Sequence, residues 1–110
     1  MRVWDVPPRI LCRTHLLGEH REIHAIFSVL ANGKSGYARH PETLRWKGKL
    51  KALVIRHNLV ANEMKRRGYN HKSPLDAPDD KSVQREKLHS VAEQMQMLYL
   101  KPCECPLEDE

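Results

Sequence analysis

The chain has 110 residues, with 19 Lys and Arg against 14 Asp and Glu, a formal net charge of +5. This length suits one domain with a modest hydrophobic core, and a pI of about 9.3 favours an anionic partner, most simply nucleic acid. No apolar run approaches the ~20 residues of a membrane-spanning helix, and three cysteines are too few for a disulfide scaffold.

Residues 1–13 are predicted to form an extended N-terminal segment. Pro7 and Pro8 bar a regular helix at that point and bias the preceding residue toward an extended conformation. Charged side chains interrupt the segment, so it does not resemble a signal peptide. Together with the low cysteine content, this leads us to expect a cytoplasmic protein with no part in a membrane.

Three helices are predicted from apolar residues at helical spacing. The first has Thr14 as its N-cap and ends at Asn32-Gly33. The second follows a stripe from Leu50 to Met64 and ends in the basic run 65–68. The third is capped at Asp80 and ends before Pro102, after a loop at about 34–43 and a linker at 70–79. We therefore expect one all-α domain over residues 1–110, with three main helices, irregular loops and an acidic tail at 101–110.

The first helix carries the most informative motif, His15-Leu16-Leu17-Gly18-Glu19-His20-Arg21-Glu22. His15, Glu19 and Glu22 recur at i, i+4 and i+7 and so share one polar face, while the apolar residues that follow face the core. Gly18 leaves room for close approach to this face. Composition alone favours a solvated helix surface on which Glu22 pairs with a nearby arginine.

The pattern His-Leu-x-x-Glu-x-Arg-Glu resembles the pyrimidine-dimer DNA glycosylases, a family of small helical repair enzymes. The resemblance extends to Ala31-Asn32-Gly33-Lys34 and to the stretch from Lys49 to Leu75. It implies a DNA glycosylase with abasic-site (AP) lyase activity on UV-induced cyclobutane pyrimidine dimers. Such an enzyme binds kinked, damaged double-stranded DNA as a monomer, displaces a base from the stack and needs no cofactor.

The resemblance also implies the catalytic groups. In the family an N-terminal α-amine is the nucleophile, and an ungapped alignment places Met1 at that position. The bulky Arg2 is expected to prevent removal of Met1. An α-amine has a pKa near ~7.7–8.0, so part of it is neutral and able to attack the sugar C1′ and form an imine. Glu22 takes the role of the carboxylate that stabilises charge on the sugar and moves protons.

The predicted DNA contacts follow from the same resemblance and from a basic loop. Arg2 and Arg21 match family arginines that hold phosphates, and His15 matches a histidine at the sugar. The loop and its surroundings would add phosphate contacts, which position DNA without reading sequence: Lys34, Arg39, His40, Arg45, Lys47 and Lys49. Trp46 is interpreted as a core residue in preference to a stacking group.

Two alternatives stay open at this point. The phage member of the family has an arginine where this chain has Ala25, and it ends in an aromatic, basic segment where this chain is acidic. A lyase acting mainly on abasic sites is therefore one alternative. A non-catalytic basic helical module that binds nucleic acid is the other.

Metal binding is not predicted from the sequence. His20 and His24 have the i, i+4 spacing that lets two imidazoles share an ion, but Glu22 between them does not complete an H-E-x-x-H motif. Cys103-x-Cys105 is spaced more closely than the ~2–4 intervening residues of a structural zinc site. Histidines scattered over helix faces are the simpler explanation.

Overall fold

The helices of this computed structural model follow the predicted all-α class. The structure describes residues 3–33, 39–69, 74–75, 84 and 87–99, and all regular structure within them is helical. A 3-10 turn at Pro8–Ile10 precedes four α-helices: α1 (Arg13–Asn32), α2 (Pro41–Arg45), α3 (Leu50–Arg66) and α4 (Val91–Tyr99). None of the described helices is long and apolar enough to cross a membrane.

The first helix begins slightly earlier than its sequence signals indicate. Cys12 occupies the N-cap position, and Thr14 lies within the first turn, so the predicted cap is wrong. The predicted end is confirmed: Gly33 adopts a left-handed conformation with φ of 64°, and its N–H donates to the carbonyl of Val29. Glycine is favoured there because it has no Cβ to oppose positive φ.

The core lies mainly between α1 and α3, which pack against each other. The apolar stripes of both helices are buried, as their spacing predicts, and side chains from the N-terminal segment and α4 close the core. The buried cluster contains Val3, Trp4, Val6, Ile10, Leu11, Leu16, Ile23, Ile26, Trp46, Ala52, Leu53, Val60, Met64 and Leu98.

The N-terminal segment is a packed part of the domain, and the region predicted as extended contains the 3-10 turn. Arg67, just after α3, holds this turn in place. Its Nη2 donates to the carbonyls of Pro8, Arg9 and Leu11 at 3.3, 3.2 and 2.7 Å, and its Nε donates to Glu63 at 2.6 Å. The basic run at the end of α3 therefore anchors another segment as well as ending the helix.

Helix α2 and the start of α4 also differ from the prediction. Part of the predicted loop at 34–43 forms the start of α2, where Pro41 occupies the first turn and His40 Nδ1 accepts from the Glu42 amide at 3.1 Å. Helix α4 begins at Val91, where Ser90 and Glu93 form a reciprocal capping box. The predicted cap Asp80 and the acidic tail at 101–110 lie outside the described residues.

Candidate active site and nucleic-acid surface

The N-terminal segment is held against α1 by a buried ion pair. The Glu19 carboxylate accepts from Arg56 Nε at 2.5 Å and from Nη2 at 2.9 Å, and Arg56 Nη1 donates to the carbonyl of Val6 at 2.9 Å. The backbone N–H of Trp4 also hydrogen-bonds to Glu19. The ion pair between Glu19 and Arg56 thus joins α1 to α3, and both side chains also bind the backbone of the N-terminal segment.

Burial raises the pKa of the Glu19 carboxyl above its ordinary value of 4.5, while the charge and hydrogen bonds of Arg56 and the amide of Trp4 act in the opposite direction. Glu19 is only 2% exposed. Its predicted place on an open polar face beside Glu22 is therefore wrong. The helical spacing holds, but Arg56 of α3 covers this carboxylate.

A second network holds the same segment from the other side. Both terminal nitrogens of Arg45 donate to the Asp5 carboxylate at 3.0 Å, and Nη2 also lies 3.4 Å from the carbonyl of Val3. Gln94 of α4 accepts from the Asp5 amide at 2.7 Å and donates to its carboxylate at 2.8 Å. Residues 3–6 are therefore fixed by side chains from α1, α2, α3 and α4.

Arg45 departs from its predicted role in DNA binding. It is 4% exposed, and besides Asp5 it pairs with Glu42 at 3.2 Å. Because its charge is committed to the buried carboxylate of Glu42 and the half-buried carboxylate of Asp5, it does not belong to a phosphate-binding surface. Trp46 is a core residue, as predicted, and its Nε1 donates to Glu42 at 3.2 Å.

His15 and Glu22 remain on the accessible side of α1. His15 is half-buried, with its ring edge-on to Trp4 at 6.0 Å between centroids and its Nδ1 3.2 Å from Cys12 Sγ. Glu22 is half-buried one turn beyond Glu19, and no hydrogen bond or ion pair joins it to another of the described residues. Within that part of the chain, the solvated pairing of Glu22 with an arginine is not found.

In the structure some of the predicted phosphate contacts are exposed, and others form hydrogen bonds within the protein. Arg21 is exposed on α1, and Arg39 and Lys47 are exposed two residues before and two residues after α2. His40 caps α2, and Lys49 Nζ donates to Gln84 at 3.0 Å. Met1, Arg2 and Lys34 lie outside the described residues.

Sequence reasoning also missed a cluster of three imidazoles. His20 and His24 of α1 meet His57 of α3, with ring centroids 4.5 to 5.2 Å apart. The i, i+4 spacing identifies the first two. His57 sits in the apolar stripe of α3, and only the packing of the two helices shows that it completes the group.

The comparisons with known proteins identify the family. The family model for pyrimidine dimer DNA glycosylases matches residues 1–77 of the 110, a range that includes the N-terminal segment, α1, α2 and α3. No curated protein and no solved structure matches the chain. The match covers well over half of the sequence and agrees with the motif on α1. The chain belongs to the pyrimidine dimer DNA glycosylase family.

Proposed function

We propose that this member of the family couples glycosylase activity on cyclobutane pyrimidine dimers to AP lyase activity through an imine at Met1. The observation that carries the proposal is the fixing of residues 3–6 against α1. Trp4 contacts His15 and donates its amide to Glu19, one turn from Glu22. The described segment at 3–6 therefore lies beside the helix that carries the proposed acid/base, and in the sequence it begins two residues after Met1.

The proposed chemistry uses two groups of the chain. The neutral α-amine of Met1 attacks C1′ of the damaged nucleotide and the glycosidic C1′–N bond breaks. The released pyrimidine takes up the proton that the amine loses, and it stays joined to its neighbour through the cyclobutane ring. Opening of the sugar ring gives the protonated imine. Glu22 stabilises the positive charge that develops on the sugar and then carries the proton from C2′, as β-elimination expels the 3′ phosphate.

Exposed cations of the chain would bind the DNA backbone. The exposed Arg21, Arg39 and Lys47 supply phosphate contacts, and from the sequence alone we assign Arg2 and Lys34 to the same role. His15 is proposed to lie at the sugar. The enzyme would act as a monomer on damaged duplex DNA in the cytoplasm, and these last points rest on the sequence.

Substitution of Glu22 tests the catalytic assignment. Glu22→Gln keeps the shape of the side chain and removes its charge, so we expect nicking of UV-irradiated duplex to fall by about 10²-fold or more. Binding of the same duplex should change little, because Glu22 is not a phosphate contact. The matched control is Glu93→Gln, since Gln preserves the capping box of α4.

The nicking and binding results distinguish the proposed enzyme from a non-catalytic module that only binds nucleic acid. Full nicking by the Glu22 variant would contradict the assigned role. If neither the wild-type chain nor the control nicks damaged DNA while both bind it, the non-catalytic module is the better description. Nicking of abasic DNA alone would keep the lyase and remove dimer recognition.

A further inference from the structure

Three histidines from two helices meet at the side of the α1–α3 interface. His20 and His24 lie one turn apart on α1, and His57 comes from the middle of α3. One ring nitrogen from each lies within 4.8 Å of the others. The Nε2 atoms of His20 and His24 are 3.2 Å apart.

The surroundings of His57 favour the tautomer in which Nε2 carries a lone pair that can bind a metal ion. Its Nδ1 lies 3.0 Å from the side-chain oxygen of Asn58. An amide oxygen only accepts, so Nδ1 carries the proton and Nε2 carries the lone pair. A polar neighbour that fixes the tautomer in this way is the usual support for a metal-ligating histidine. His57 is 1% exposed, which holds the ring in place.

We propose that His20, His24 and His57 bind one divalent transition-metal ion of the zinc type. Three neutral imidazoles suit Zn²⁺, Co²⁺, Ni²⁺ or Cu²⁺, whereas Mg²⁺ and Ca²⁺ require oxygen ligands. Zn–N bonds of about 2.0–2.1 Å in a tetrahedron place ligand nitrogens roughly 3.3 Å apart. The 3.2 Å between His20 and His24 meets that requirement. The ligand nitrogen of His57 lies within 4.8 Å of both, and the half-buried rings of His20 and His24 would move toward it when the ion binds.

The geometry assigns this ion a place away from the proposed reaction. Glu22 is two positions from both His20 and His24, and residues two apart on a helix do not share a face. The ion would join α1 to α3 at the side of their interface. Because His20 and His24 are half-buried, its fourth position is reached from solvent and is filled by water.

Metal binding can be measured on the full chain without DNA. The protein is prepared without a histidine tag, carries Cys103→Ser and Cys105→Ser to remove competing thiols, and is stripped with chelator. Titration with Co²⁺ should give the visible absorption of tetrahedral cobalt at one ion per chain, and Zn²⁺ should abolish it. At metal 100-fold above its Kd, we expect the Tm to rise by roughly 10 °C.

Variants at His20 and His24 test whether these side chains are the metal ligands. His20→Gln and His24→Gln should each weaken Co²⁺ binding by on the order of 100-fold or more while keeping the helical circular dichroism of the parent. His89→Gln, which removes an imidazole before α4, should bind as the parent does. Absence of a cobalt spectrum, or equal affinity in His24→Gln and His89→Gln, would overturn the proposal. DNA nicking is not part of this readout, so the two proposals fail independently.

Discussion

The carboxylate of Glu19 combines deep burial with three hydrogen-bond donors, two on Arg56 and one on the backbone of Trp4. Such a pair contributes little net stability compared with apolar residues of similar size, but breaking it leaves an uncompensated charge in the core. The pair also determines where residues 3–6 lie. Its loss should therefore affect both stability and the geometry of the chain start.

Removal of Arg56 gives a stability loss that depends on pH. Arg56→Met should lower the free energy of unfolding by about 3–5 kcal/mol at pH 7, because the ionised Glu19 remains buried. Burial raises the pKa of Glu19 above 4.5, so the neutral form that the fold prefers is present below pH 4.5 and is lost as pH rises through the folded-state pKa. The loss should therefore be smallest below pH 4.5. Urea unfolding at several pH values measures it.

The double variant Glu19→Gln/Arg56→Met is the control, and it should recover much of the stability at pH 7. A deficit that is the same at pH 4 and pH 7, or that persists fully in the double variant, would contradict the account of the pair.

Residue roles were predictable from the sequence only where they depend on local spacing. The positions of His15 and Glu22 on an accessible face of α1 agree with the helical pattern. Glu19 has the same spacing, but its partner is 37 positions away on α3. The sequence likewise predicts that Arg45 is a surface cation, because its partner Asp5 is 40 positions away and meets it only in the folded chain. Long-range pairing has no signal in a single sequence.

At the scale of elements, Gly18 is an unexplained glycine in the middle of α1. A Cβ built on it meets nothing within 4 Å, so packing does not require glycine there. It precedes Glu22 by one turn and lies on the same face. We propose that glycine at position 18 allows DNA to approach this face closely.

Gly18→Ala should therefore stabilise the free protein and weaken its activity. We expect the free energy of unfolding to rise by roughly 0.5–1 kcal/mol, because glycine is costly inside a helix. Affinity for damaged duplex should fall, measured by fluorescence anisotropy. Ala31→Gly, an exposed site of the same helix on the face opposite Glu22, is the matched control for stability alone. Unchanged DNA affinity in the more stable variant would remove Gly18 from the binding face.

The elements that were predicted correctly are those with long apolar stripes. Helices α1 and α3 have 20 and 17 residues, and their periodicity and C-terminal signals are clear. Helix α2 has five residues, too few to show a period, and depends on Pro41 and on the buried contacts of Glu42 and Arg45. The start of α4 does have a sequence signature, because Ser90 and Glu93 have the spacing of a capping box.

The whole molecule carries a net charge of +5, although the final residues include Glu104, Glu108, Asp109 and Glu110. With Arg45 buried, fewer cations are available for phosphates than the composition indicates. Among the predicted contacts within the described residues, Arg21, Arg39 and Lys47 remain exposed. DNA binding at this surface should release counterions and weaken with salt.

The double variant Arg39→Ala/Lys47→Ala should reduce the slope of log K against log salt by about 2, since each lost phosphate contact contributes roughly 0.9. Lys65→Ala removes an exposed cation about 22 Å along α3 from the end nearest α2, and it should leave the slope unchanged. Equal slopes for the wild type and the double variant would show that DNA binds to another face.

Imine formation at Met1 is tested most directly by borohydride trapping on UV-irradiated duplex, with abasic and undamaged duplexes alongside. We expect a covalent product with both damaged substrates and none with undamaged DNA. Mass mapping should locate the adduct at the α-nitrogen of Met1, and acetylation or extension of the N-terminus should abolish it. No trapped product with either damaged substrate, or a product that survives a blocked N-terminus, would contradict the amine mechanism.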